Sequence, residues 1–242
     1  MKILMLIFVC VVLSSWPLIS WAYSPTRVDH QCHKSFSYDI YLHGLLIGHL
    51  TRQVSWQDDQ ARIQTSSEVD ILGIGASYQQ LTDLYWSEAN KQFLTRAYSQ
   101  KVVGIENRDV VATFSSDGRQ ATVNLNGKMT KYSNPKHALL DLDTLSAQIR
   151  LNIINGLTKF QLFRQAYNQV IAYQFQITAK EQIDLPRWGK IEVIRLDEIS
   201  DHKGTTLWFS PKLDYQLVKA KFTLLIDPTV YLSAYKIDCS FQ

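Results

Sequence analysis

The sequence has 242 residues, 25 Lys and Arg against 22 Asp and Glu for a net charge of +3, and 46% hydrophobic residues with only 10 Gly and 6 Pro. That composition excludes disordered, collagen-like and low-complexity chains and supplies enough apolar surface for a packed core. So small a positive excess gives no general attraction for polyanions, and no nucleic-acid partner is expected.

The amino terminus reads as an export signal. Met1-Lys2 gives a short positive start, Ile3 to Leu13 an apolar run, and Ser20-Trp21-Ala22 small residues three and one before a cut after Ala22. Residues 1–22 are thus expected to be a signal peptide, with one β-rich domain over 23–242 in the periplasm. The alternative is a retained anchor, because Ile3 to Ala22 is about long enough to cross a bilayer. Pro17 and Ser14-Ser15 interrupt that run where an anchor helix wants continuity. No later segment approaches spanning length, so no transmembrane span is expected once the signal is cleaved.

Cys10 leaves with the signal, and Cys32 and Cys239 remain near opposite ends of the mature chain. In an oxidising compartment an even pair reads as one disulfide tying the first strand to the last. Two separate buried thiols, or a metal site using His30 and His33 beside Cys32, are the other readings. Four converging ligands are not visible, so no metal and no cofactor is expected.

Alternation with period two dominates the remainder. Phe36, Tyr38, Ile40 and Leu42 alternate with Ser35, Ser37, Asp39 and Tyr41, and Ile171, Tyr173, Phe175, Ile177 and Ala179 do the same further on. One wet face per strand points to antiparallel pairing. Asp117-Gly118 and Asn126-Gly127 are two-residue hairpin signals. Candidate strands cover 35–43, 46–57, 61–70, 77–87, 93–103, 108–115, 120–125, 128–133, 158–164, 170–183, 190–200, 205–210, 215–226 and 230–239. Some should merge or vanish, leaving about ten to twelve.

Residues 143–155 break this rhythm. Leu145, Ile149, Asn152 and Ile153 fall at helical spacing, with Asp141 or Asp143 as N-cap and Gly156 as stop. This predicts one short amphipathic helix joining two β-rich halves and lying across the concave face or open end of the sheet. The fold class is therefore mainly β: a large, strongly curved antiparallel sheet, an open β-barrel or a two-sheet meander.

Three stretches carry a family resemblance. They are Phe36-Ser-Tyr-Asp-Ile-Tyr-Leu-His-Gly-Leu-Leu-Ile-Gly48, Asp143-Thr-Leu-Ser146, and Leu207-Trp-Phe-Ser-Pro-Lys-Leu-Asp-Tyr-Gln-Leu-Val-Lys219. Their order and spacing resemble the bacterial exported family known as domain of unknown function 3108. The usual Leu-Pro-Val near the third is replaced by Gln216-Leu217-Val218. The resemblance implies a Gram-negative envelope protein of predominantly β structure, with no catalytic residues to carry over.

Chemistry is sparse in the sequence. There is no Gly-x-Ser-x-Gly elbow. Gly73-Ile74-Gly75 is too short for a nucleotide fingerprint, and the pairs Asp58-Asp59, Asp141 with Asp143, and Asp197-Glu198 give no clear convergence. Asp143 and Ser146 read as helix-start chemistry. No catalytic residue is assigned. A curled sheet with an apolar inner face can enclose a ligand, so a lipid or other amphiphile is the expected ligand. Leu72, Ile74, Tyr78, Trp86, Tyr173 and Phe175 are the candidate lining residues. The alternative is an envelope scaffold that binds a protein through a sheet edge or rim loops.

Overall fold

The computed structural model of the chain describes residues 32–239 apart from Leu72, Ile105, 201–203 and 224–226. The expected leader, His30 and the candidate Leu72 thus lie outside the described residues.

The first half is an unbroken run of hairpins: β1 (His33–Leu42), β2 (Leu45–Gln57), β3 (Gln60–Ile71), β4 (Ile74–Ser87), β5 (Gln92–Val103), β6 (Arg108–Phe114), β7 (Gln120–Leu125) and β8 (Lys128–Ser133). A two-residue strand β9 (Leu139–Leu140) leads into helix α1 (Leu142–Ile154). The second half follows: β10 (Lys159–Gln165), β11 (Val170–Leu185), β12 (Gly189–Glu198), β13 (Thr205–Ser210), β14 (Gln216–Phe222) and β15 (Thr229–Asp238).

All belong to one 15-stranded sheet in the order β8-β7-β6-β5-β4-β3-β2-β1-β15-β14-β13-β12-β11-β10-β9. The two halves therefore meet where β1 pairs antiparallel with β15, from His33 opposite Asp238 to Tyr41 opposite Thr229. Cys32 and Cys239, just outside that pairing, form a disulfide across 207 residues of sequence, so the separate-thiol and metal readings fall away. Every expected strand is present, none merges or vanishes, and only β9 lacks a counterpart. Two residues are too few for alternation to register.

Turn chemistry explains the hairpins. Asn126 and Gly127 both have positive φ in the β7–β8 turn, the backbone that matches the strands' twist. Gly44 takes φ +85° between β1 and β2, which glycine adopts without steric cost.

The curled sheet wraps around α1. Asp141 is the N-cap, its side chain accepting from the Thr144 and Asp143 amides, and Gly156 at φ +76° follows the helix's end. Leu145, Ile149 and Ile153 pack on Phe175, Leu196, Leu207 and Phe209 of the second half. Leu151 packs with Ile63, Leu84 and Phe93 of the first, and Phe93 donates its amide to Gln148 Oε1 at 2.8 Å. The helix is thus buried on several sides, as a plug, because each half of the sheet covers one of its faces. β8 and β9 are the free edges, and the Leu139 amide of β9 donates to the Gly118 carbonyl of the β6–β7 turn at 2.8 Å. The result is a nearly closed, barrel-like sheet.

An antiparallel meander sends successive turns to alternate ends. The β1–β2, β3–β4, β5–β6 and β7–β8 turns share one end, and the β2–β3, β4–β5 and β6–β7 turns share the other.

Candidate functional site

On β4 and β5 the inward positions change character along the strand. Leu84 and Phe93 sit in the core, whereas Tyr78, Gln80, Thr82, Thr95, Tyr98 and Gln100 replace aliphatic residues nearer the β3–β4 turn. Polar side chains facing inward need partners, and α1 brings them two carboxylates. Asp141, 1% exposed, accepts from Thr95 Oγ1 (3.1 Å) and the Thr144 amide (3.0 Å) on one oxygen. On the other it accepts from Gln80 Nε2 (2.9 Å), Thr82 Oγ1 (2.7 Å) and its neighbour's amide at 143 (3.0 Å). Asp143, 4% exposed, accepts from Thr65 Oγ1 (3.1 Å) and Gln80 Nε2 (2.9 Å), with Arg52 Nη2 at 3.5 Å.

Asp141 and Asp143 therefore do converge, contrary to the reading of the sequence. A cap residue and a first-turn residue both point back at the strands under the helix terminus. Burial raises the Asp143 carboxyl above its ordinary value, and Asp141 adds to this while Arg52 opposes it. Ser146 accepts from Arg52 Nη1 at 3.0 Å, which fixes the first turn of α1 to β2.

Beside this network is a cavity of about 180 Å³. Tyr78 and Gln80 of β4, Tyr98 and Gln100 of β5, Arg108 of β6 and Arg164 of β10 line it, together with Asp141 and the β10–β11 turn residue Tyr167. It is smaller than the roughly 300–1,000 Å³ of pockets that bury a drug-sized ligand. Tyr78 donates to Gln80 Oε1 at 2.6 Å. Burial, the largest cause, pushes the phenols of Tyr78 and Tyr98 well above the usual tyrosine range; Asp141 adds to both shifts and Arg164 opposes them. The Arg108 guanidinium stacks over Tyr167, 3.9 Å from the ring centre.

Of the six residues expected to line a ligand site, Tyr78 is at the cavity. Ile74 stands 57% exposed at the β3–β4 tip. Trp86 packs edge-on against Phe93 and donates its indole N–H to Glu88. Tyr173 stacks on Phe175, and Phe175 is core beneath α1. Leu72 is outside the described residues. Sequence reasoning missed Gln80, Gln100, Arg108 and Arg164. The available signal was the polar substitution of inward positions at 78, 80 and 82, a period-two face that stops being apolar.

The end of the barrel that carries the β3–β4 tip is unusual in a second way. Leu45 (72% exposed) and Leu46, Ile74, Val103 and Met129 (61%) stand in the open on four successive hairpins there. At the opposite end the turns carry Asp58-Asp59, Glu88 with Lys91, and Asp117 with Arg119. Tyr78, Val102 and Arg108 lie at one level across β4, β5 and β6, a few residues below the apolar tips. The polar cavity is therefore displaced toward the apolar end.

Among the described residues, no helix is long and apolar enough to cross a membrane, and no cluster of His, Cys, Asp and Glu could hold a metal ion. Comparison with curated proteins and with solved structures gives no match. A family model described as "Protein of unknown function (DUF3108)" matches residues 37–233, from β1 into β15, and the chain belongs to that family.

Proposed function

We propose that this chain is a non-enzymatic binding protein of the cell envelope, exported to the periplasm by residues 1–22, that engages an amphiphile at one end of its barrel. The observation carrying this reading is a coincidence of place: a polar, partly enclosed cavity and a row of exposed apolar hairpin tips occupy the same end, while the first-half turns at the other end carry charged residues. Isolated exposed apolar residues are ordinary, but a concentration of them on neighbouring tips marks a contact surface. A polar seat flanked by apolar side chains matches a molecule with a head and a tail. The concave interior is taken up by α1, so the tail is assigned to the tips and the head to the cavity.

A binding role also agrees with how the carboxylates are used. Asp141 accepts five hydrogen bonds, which leaves it little capacity to act as a general acid or base. Binding through a sheet edge has less support. The edge strand β8 carries Lys128 and Lys131, and lysines on an edge discourage strand addition.

Vesicle flotation tests the proposal. The full chain should float with phospholipid vesicles, and Leu46→Asp with Ile74→Asp should reduce the floated fraction at least tenfold without lowering the melting temperature. A wild-type protein that stays at the bottom of the gradient and yields no lipid on extraction and mass spectrometry would overturn it.

A further inference from the structure

We infer that the cavity is a seat for a phosphate ester that also carries a hydroxyl or ammonium donor, held by Arg108 and Arg164. The inference rests on the binding role proposed above only for which end of the molecule meets a lipid.

The pairing of the arginines points there. Arg52, Arg62, Arg150, Arg187 and Arg195 each reach a carboxylate within salt-bridge distance. Arg96 and Arg119 are exposed. Arg108 and Arg164 are neither: both are partly buried, and no carboxylate of the described residues lies within salt-bridge distance of them. The Nε of each is closed to solvent and has no hydrogen-bond partner. The carboxylate lining the same cavity, Asp141, is already committed to Thr95, Thr82, Gln80 and two amides. The lining therefore carries two positive charges against one negative. A guanidinium partly withdrawn from water without an anion carries a cost, and its planar fork suits phosphate oxygens.

The same cavity also asks for donors. Gln100 and Gln165 are 8% and 1% exposed, and the Oε1 of each is buried without a partner. Two orphaned acceptors beside two anion-seeking cations fit a phosphate that bears a hydroxyl or ammonium group nearby. A phosphorylated polar solute and a phospholipid headgroup share that chemistry, and the volume of about 180 Å³ suits a headgroup rather than an acyl chain.

The test measures the full chain, its Arg108→Gln/Arg164→Gln variant and the surface control Arg96→Gln. Calorimetry uses glycerol phosphate, and flotation uses vesicles of phosphatidylglycerol and of a phosphate-free galactolipid. The inference expects the double variant to weaken binding of a phosphate-bearing probe at least tenfold while Arg96→Gln leaves it unchanged. Binding of the vesicles without the free ester makes the source a lipid headgroup, and the reverse makes it a free solute. Binding of the free ester that depends on both arginines, with no vesicle floated, would sustain the seat and sink the amphiphile reading. Equal flotation with both lipids, unaffected by the double variant, would sink the seat and leave the amphiphile reading standing. No binding of either phosphate probe overturns the seat as well. If the glutamine variant does not fold, Arg108→Lys/Arg164→Lys keeps the charge and loses the fork. Its weaker binding at unchanged melting temperature supports the seat, and unchanged binding overturns it.

Discussion

Lys34 Nζ donates to Asp214 Oδ2 at 2.9 Å, joining β1 to the β13–β14 turn across 180 residues of sequence. Arg150 Nη2 reaches the other oxygen at 2.7 Å, so one carboxylate links both halves of the sheet to the plug. Burial alone would raise the Asp214 carboxyl, but Arg150 and Lys34 hold it below its ordinary 3.8. Its contribution to stability is therefore complete above that value and is lost as pH falls below it. Asp214→Asn leaves Lys34, 7% exposed, without its anion. The expected loss is about 2 kcal/mol, less than for a fully buried pair because Asp214 is one-third exposed. Urea denaturation at pH 7 and pH 3 checks this: the difference between wild type and variant should shrink at the lower pH.

The two buried carboxylates at the head of α1 should respond unequally to amidation. Both oxygens of Asp141 accept backbone amides as well as side chains, so Asp141→Asn turns an NH2 group toward N–H donors and should cost about 2–3 kcal/mol. Asp143 has a raised carboxyl value, chiefly from burial. A raised acid favours folding below its unfolded value of about 3.8, and that contribution is lost as pH climbs through the folded value. Asp143→Asn, which resembles the protonated form, should therefore be within about 1 kcal/mol of wild type at pH 7. Thermal melts that rank Asp143→Asn below Asp141→Asn would contradict this account of the network.

Reduction of the Cys32–Cys239 bridge frees a loop of 207 residues. The chain-entropy relation gives at most about 5 kcal/mol for such a loop, before residual structure in the unfolded chain reduces it. Cys32→Ser/Cys239→Ser should melt lower than the oxidised protein and coincide with the wild type in reductant, while far-ultraviolet dichroism stays β-rich.

Gly48 lies on β2 beside a bulge, where Ile40 pairs with Gly48 and Tyr41 with Leu46, leaving Ile47 as the extra residue of β2. A Cβ there would run into the Glu68 carbonyl oxygen and come within 2.8 Å of the Val69 Cα on β3. Both obstacles are backbone, so Gly48→Ala should cost roughly 1–3 kcal/mol. Gly44→Ala, with open space at its Cβ but φ +85°, should cost about 1 kcal/mol, through backbone strain alone. Denaturation midpoints of the two variants separate these causes.

The strands were legible because each long hairpin buries one face, and the period-two pattern records that directly. Asp141, Gly156 and the cysteine pair were legible for local reasons: a cap, a stop and an even count. The cavity was not. Gln80 and Gln100 meet across neighbouring strands, Asp141 approaches them from the head of a helix, and Arg164 arrives from the other half of the sheet. No spacing in one dimension encodes that meeting. The burial of α1 on several sides was hidden for the same reason, since Gln148 looks like a solvent-facing residue until β5 is placed against it.

The pairing of β1 with β15 makes the first and last of the described strands central neighbours in space. Hairpins such as β3–β4 close within a few residues and can form while the polypeptide is still emerging, but β1 must wait for its second partner until about the last strand is available. Until then it is an exposed ribbon edge, open to pairing with another copy. Assembly of this protein is thus a race between completion of its own ring and capture by a stranger, won only once the tail has arrived.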